Sequence, residues 1–355
     1  MKNNLVFLAL LWCLPAAAYA AEVSVSSDDA KKTAEEKPRK NYGVSLSLTH
    51  AVGSASFLQD DTLRASRGLV YQAWGLSGFY SFDILGQKFK VSPRMGFTLE
   101  LTEPDSNPAR RFDPSDSSLS LSASGLKDDL TGIGFSPYLR VTLPTSYRSL
   151  NINKRWVTLK AGLGLNRTFG DFSISLATGF TKAFSQNKVS SKYTETPRLS
   201  DFGNCNVASA GEGGIHAVYE CVSGSGTLNF AVTSNIGFEY QILETLSISY
   251  SVSLSNSFRH AIIDEEDDLT APHADTGMGR SDSLSESLAL SFSLSELLTP
   301  DSPVSYRLSL SMDASHPAQT ADNRAIMWPF FYNSFGQNRA ANNYGEISLG
   351  ISGSY

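Results

Sequence analysis

From residue 42 to residue 355 the chain repeatedly alternates apolar and polar side chains with a period of two. In one segment Phe89, Val91, Pro93, Met95, Phe97, Leu99 and Leu101 alternate with Lys88, Lys90, Ser92, Arg94, Gly96, Thr98 and Glu100. In a second, Leu228, Phe230, Val232, Ile236, Phe238 and Tyr240 are separated by Asn229, Ala231, Thr233, Asn235, Gly237 and Glu239. In a third, Leu246, Ile248, Tyr250, Val252 and Leu254 alternate with serines at every odd position from Ser247 to Ser255. Successive side chains of a strand point to opposite faces, so this pattern predicts strands whose two faces meet different surroundings. The runs last about 11–15 residues, against roughly 5–6 for an ordinary strand and about 9–11 for one that crosses a bilayer at a tilt.

The connections sharpen the distinction. Reading back from residue 355, long segments (315–343, 259–282, 186–225) alternate with short turns (299–303, 241–244, 169–171). Upstream the same rule makes 145–154 an outer loop and 127–130 an inner turn. The spacing predicts about twelve strands, near 42–51, 69–84, 87–102, 115–126, 131–144, 155–168, 171–185, 226–241, 244–258, 283–298, 303–314 and 344–355. The fourth rests only on Leu119, Leu121 and Ala123 alternating with serines, and an even strand count requires it. The fold expected is all-β: a closed antiparallel transmembrane barrel with long loops at one end and short turns at the other.

The final segment places Ile347, Leu349, Ile351, Gly353 and Tyr355 in alternation with Glu346, Ser348, Gly350, Ser352 and Ser354. It resembles the terminal strand of bacterial outer-membrane β-barrel proteins, porin-like in architecture, with no narrower family declared. The resemblance implies residence in the cell outer membrane. It also implies that Ile347, Leu349, Ile351 and Tyr355 form a C-terminal signal read by the barrel-assembly machinery. Gly353 is smaller than the residue usual at its position. Contact with outer-membrane lipid and lipopolysaccharide follows, with Trp74, Tyr80, Phe82, Phe172, Phe180, Tyr240 and Tyr306 suited to an aromatic belt.

The start of the chain agrees with export. Lys2, the apolar run 5–14 and the small residues Ala18 and Ala20 predict a cleaved signal peptide over 1–20. Residues 21–41 are Ser, Asp, Lys, Glu and Pro with few apolar side chains, which predicts a flexible charged periplasmic leader before the barrel at 42–355. Beyond residue 20 no apolar run of 18 residues occurs, so the pattern excludes membrane-crossing helices. A net charge of −6 argues against nucleic acid as a partner, and an aromatic content of 11% argues against disorder. Past the signal two cysteines remain, Cys205 and Cys221, and in an exported chain a disulfide is the expected pairing.

Chemistry is sparse. The sequence contains no Gly-x-Ser-x-Gly elbow, metal-binding histidine pair or phosphate loop, so no enzyme, metal or cofactor is expected. His50, His216, His260, His273 and His316 all fall in or beside expected outer loops. The acidic run 264–268 lacks the spacing of a calcium loop and reads as a solvated charge run. Trp328, Phe330, Phe331 and Tyr332 make the segment 315–343 unusually aromatic, suited either to packing on its neighbours or to recognition of an envelope protein. The polar face of the strands carries Lys88, Lys90, Arg94, Arg140, Lys160 and Arg307 against Glu100, Glu239 and Glu346, and all but Glu346 are the candidates to line a lumen. An open lumen would make the protein a channel for small polar solutes, anions included. The competing reading is a closed barrel that anchors or docks an envelope or surface assembly through its loops or leader.

Overall fold

A computed structural model describes residues 41–53, 70–101, 112–186, 188–194, 204–210, 217–260, 279–295, 304–318 and 344–355. The wall begins with β1 (Tyr42–Gly53), β2 (Val70–Ile84) and β3 (Gln87–Glu100). The fourth position is broken into β4 (Phe112–Pro114), β5 (Ser117–Ser124) and β6 (Leu126–Lys127). It continues with β7 (Gly134–Leu143), β8 (Arg155–Phe169) and β9 (Phe172–Ser185). Outside the wall lie β10 (Val189–Thr194), β11 (Asn204–Ala210) and β12 (Ala217–Gly226). The wall resumes with β13 (Leu228–Leu243), β14 (Leu246–Arg259), β15 (Arg280–Ser293), β16 (Ser305–Pro317) and β17 (Tyr344–Ser354).

Fourteen segments form one antiparallel sheet, and β2 pairs with β3 while β1 pairs with β17, so the sheet closes on itself. Because β4 to β6 share one position between β3 and β7, the wall has twelve strands. The seam between first and last strands is fully paired: Val44 donates to Tyr355 O at 3.1 Å and Tyr355 donates to Val44 O at 2.9 Å. Closure leaves no strand edge, which is what a backbone surrounded by hydrocarbon requires.

Register assigns the faces. Ser45, Ser47 and Thr49 pair with Ser354, Ser352 and Gly350, while Leu46, Leu48 and His50 pair with Gly353, Ile351 and Leu349. The serine face is the enclosed one, with Ala51 at 0% and Ser348 at 8% exposure, and the leucine face is open, with Leu349 at 52%. The open face carries stacked cross-strand aromatic pairs: Trp74–Phe97 and Phe230–Phe258 toward one end, Phe82–Phe89 and Phe172–Phe238 toward the other, with centroids 4.5–6.2 Å apart. An apolar band flanked by aromatic residues is the surface of a barrel that sits in lipid.

Short turns close one end. At the turn 84–87, Leu85 and Gly86 both have positive φ (52° and 77°), the arrangement that matches strand twist in a two-residue hairpin. Leucine tolerates that conformation poorly, and Leu85 is fully exposed. At the turn after β6, Asp128 accepts from the Thr131 hydroxyl at 2.5 Å and from its amide at 2.9 Å.

Two elements differ from the sequence reading. The tenth strand runs Arg280–Ser293 rather than 283–298, and the eleventh runs Ser305–Pro317 rather than 303–314. Both are displaced toward the long-loop end because serine alternation persists past the expected limits. The segment expected to be the largest outer loop also contains a separate three-stranded sheet in the order β10-β12-β11. Within it Cys205 and Cys221 stand directly opposite in register. The signal peptide, the leader, the acidic run and the aromatic residues Trp328, Phe330, Phe331 and Tyr332 lie outside the described residues.

Candidate functional site: the inner wall

The inner face is serine-rich because every strand places its polar set there. On β14 and β15 the inward series Ser247 to Ser257 faces Ser281 to Ser291, with Ala289 the one apolar member. Charge is confined to particular sectors. All eight lumen candidates occupy inward register positions: Lys88, Lys90, Arg94 and Glu100 on β3, Arg140 on β7, Lys160 on β8, Glu239 on β13 and Arg307 on β16. Asp83 stands opposite Lys88, and Lys90 lies 4.5 Å from the centre of the inward Phe79 ring.

Most of these charges gather in two sectors, with Glu239 on β13 and Arg307 on β16 outside them. A basic sector runs across β3, β7 and β8, in which Arg140 pairs directly with Lys160, and Arg94 and Ser92 reach them through the serines of β5. An acidic sector forms near the long-loop end. There Asp313 on β16 pairs with Glu346 on β17, Tyr71 on β2 pairs with Glu100, and Asp113 on β4 pairs with Thr98. The Tyr71 hydroxyl donates to both Glu346 oxygens at 2.8 and 3.0 Å, and Ser311 donates to Asp313 at 2.7 Å. The sequence reading placed Glu100 and Glu346 on the inward face but not beside Tyr71, Asp113 and Asp313, because the Glu346–Tyr71 contact arises only through closure.

The inner face is also uneven in access. Arg94, Ser136 and Ser285 are exposed although they point inward. On β8, β9 and β13 the inward Lys160, Thr181, Ala177, Ala231 and Thr233 are 1–8% exposed. Tyr138 contributes to that enclosure. Its ring crosses β8 and β9 over Gly162 and Gly179, where an added Cβ would fall 2.6 and 2.8 Å from the phenol oxygen. Glycine at both positions is what lets the aromatic ring lie against the wall.

A second polar group lies on the opposite face. Glu286 and His316 occupy outward positions on β15 and β16, in line with Leu288, Leu290, Met312 and Leu310. Their side chains are 3.2 Å apart and 0% exposed, and Tyr250 approaches the other Glu286 oxygen at 3.4 Å. Both imidazole nitrogens face acceptors, the Pro317 carbonyl at 2.9 Å and Glu286 at 3.2 Å. A proton therefore lies between Nε2 and the carboxyl group. The interruption of an apolar outward series by Glu286 was visible in the sequence, but its partner was not.

No protein-family model matches the chain, and no curated protein does. Solved structures do share its shape. The COG4313 outer membrane channel from Pseudomonas putida F1 is 7% identical over 93% of this chain and 98% of its own, with a TM-score of 0.51. The NanC porin is 10% identical over 87% and 98%, with a TM-score of 0.38. The KdgM porin is 8% identical over 87% and 97%, with a TM-score of 0.33. The chain has the fold of an outer-membrane β-barrel. At 7% identity the likeness to the first of these is one of fold alone, and it agrees with the closed wall and its lipid-facing band.

Proposed function

We propose that this outer-membrane barrel is a channel for small polar solutes and that its basic sector favours anions. One observation carries the reading: Arg94, midway along β3 and pointing inward, is exposed to solvent. An exposed side chain on the inner face of a closed wall needs water-filled space beside it. Arg94, Arg140 and Lys160 would then raise the local concentration of anions by electrostatic focusing between low-dielectric walls. The likeness to a structure described as an outer membrane channel supports the same reading.

The test is conductance of the purified full chain in a planar bilayer. Discrete channel steps are expected, with a reversal potential in a salt gradient that reports anion preference. Replacing Arg94 with Glu is expected to shift that potential toward cations. A folded protein that conducts nothing would overturn the channel and favour the anchoring barrel.

A further inference from the structure

We infer that the outward face of the barrel at its long-loop end binds the headgroup of a phosphorylated glycolipid, held at two points by Lys182 and Arg280. The inference does not depend on whether the lumen conducts, since this surface lies on the lipid side of the wall.

Register builds the site as one row across four strands. Lys182 on β9 pairs with Phe230 on β13, Phe230 with Phe258 on β14, and Phe258 with Arg280 on β15. Neighbouring strands lie about 4.8 Å apart, so three spacings put the two cationic residues about 14 Å apart. The phenyl rings between them stack with centroids 4.5 Å apart. Toward the middle of the wall the face stays apolar, with Phe180 and Leu254 40% and 37% exposed. Aromatic residues mark where a barrel passes from hydrocarbon to headgroups, so the row lies at the depth of lipid phosphates.

Both cations are positioned by their neighbours. Lys182 donates to the side-chain oxygen of Asn229, a neutral acceptor at the bulge where β13 slips against β14. Its ammonium lies 5.8 Å from the centre of the Phe184 ring, and the Arg280 guanidinium lies 5.7 Å from that of Phe258. Arg280 pairs with Asp282 through Nε and Nη2, each at 2.9 Å, and Asn256 donates to the same carboxylate at 2.8 Å. That pairing uses two of the five guanidinium donors and fixes the plane of a side chain that remains 59% exposed.

A further cation stands on the loop side of the row. The Thr227 hydroxyl donates to the Lys188 carbonyl at 3.1 Å, and the Thr227 carbonyl accepts from the His260 amide at 2.9 Å, which ties residues 188 and 260 together. Burial, and then the charges of Lys182 and Lys188, hold the His260 imidazole below its ordinary 6.5, so both ammonium groups act on one place.

Hydrocarbon alone would be met by apolar side chains along this row. Lysine and arginine suit phosphate, to which their charge-assisted bonds are of the strong class. A headgroup with a phosphate at each end of a disaccharide can engage both cations at once, its sugars lying over the phenyl pair.

The experiment is native mass spectrometry of the detergent-solubilised full chain titrated with diphosphoryl lipid A, monophosphoryl lipid A or phosphatidylglycerol. One saturable diphosphoryl adduct is expected, weakened about tenfold in Lys182→Gln and in Arg280→Gln, with the monophosphoryl form weaker by a similar factor on the wild type. Heat-modifiable electrophoretic migration checks that the variants fold. Arg167→Gln is the control, since it removes an outward arginine lying 4.4 Å from the Phe169 ring centre at the short-turn end, and affinity should not change. Equal affinity in a folded Lys182→Gln protein overturns the site, the result expected if the acidic run 264–268 covered the row instead. An equal loss in Arg167→Gln overturns it as well, because the cations would then act only as diffuse charge. Equal binding of phosphatidylglycerol or of the two lipid A forms overturns recognition at two points.

Discussion

Replacing either member of the Glu286–His316 pair tests whether this outward acid and imidazole act as one unit. Both side chains are 0% exposed and 3.2 Å apart, on a face whose other members are mainly apolar. Taking one partner from an enclosed, hydrogen-bonded acid–imidazole pair leaves the other unsatisfied and typically costs about 3–5 kcal/mol. Glu286→Leu should therefore destabilise by about that amount, since Nε2 of His316 loses its one partner among the described residues. His316→Leu should do the same, leaving Glu286 with the Tyr250 hydroxyl alone. The double variant removes both polar groups and fills the space with hydrocarbon, so it should lie within about 1–2 kcal/mol of the wild type. The singles and the double together imply a coupling of at least about 4 kcal/mol, measured by urea unfolding in phospholipid vesicles. Two results would refute the reasoning. If the double variant loses the sum of the single losses, the residues act separately. If each single variant loses under about 0.5 kcal/mol, the pair is not enclosed from solvent.

Three further outcomes follow from particular contacts. Gly162→Ala would place a Cβ 2.6 Å from the Tyr138 phenol and from the Thr178 carbonyl, and should cost about 1–3 kcal/mol in the same unfolding assay. At the turn after β6, the Thr131 hydroxyl and amide hold the Asp128 carboxyl below its ordinary value of 3.8. A lowered folded value stabilises above the unfolded value and is lost as pH falls through the folded one. The stability advantage of the wild type over Asp128→Asn should thus be full at neutral pH and shrink as pH falls below about 4, measured by the same unfolding at a series of pH values. Cys205 and Cys221 oppose each other across β11 and β12, so non-reducing alkylation and mass measurement of the exported protein should find neither thiol free. Such a bridge would contribute on the order of 3 kcal/mol.

Most of the wall was legible because its two solvents impose the shortest period a chain can carry. Strands such as Gln87–Glu100 and Leu246–Arg259 show their register in the sequence, since a slip of one residue would turn serines into lipid. The fourth position was hardest to read. Phe112–Pro114, Ser117–Ser124 and Leu126–Lys127 are short pieces interrupted by residues outside the pairing, so no single run announces them. The small sheet of β10–β12 was missed for another reason. It lies off the barrel wall, and a stretch rich in Gly, Ser and Asn gives no two-faced alternation.

The candidate site divides along the same line. Inward parity is local, so Lys88, Arg94, Arg140 and Lys160 could be placed on the polar face by counting along each strand. Neighbourhood across strands is not local. That Arg140 meets Lys160, or that Asp313 meets Glu346, depends on register between segments, and closure alone brings Glu346 beside Tyr71 through β1. Counting charges over the whole inner face therefore gives a misleadingly mixed lumen. Sorted by place, most positive side chains cover β3, β7 and β8 and most carboxylates gather at the long-loop end of β16, β17, β3 and β4, with Asp83, Glu239 and Arg307 as exceptions. A solute in such a lumen would experience a field across the barrel as well as along it. Its orientation, and not only the sign of its charge, would govern passage.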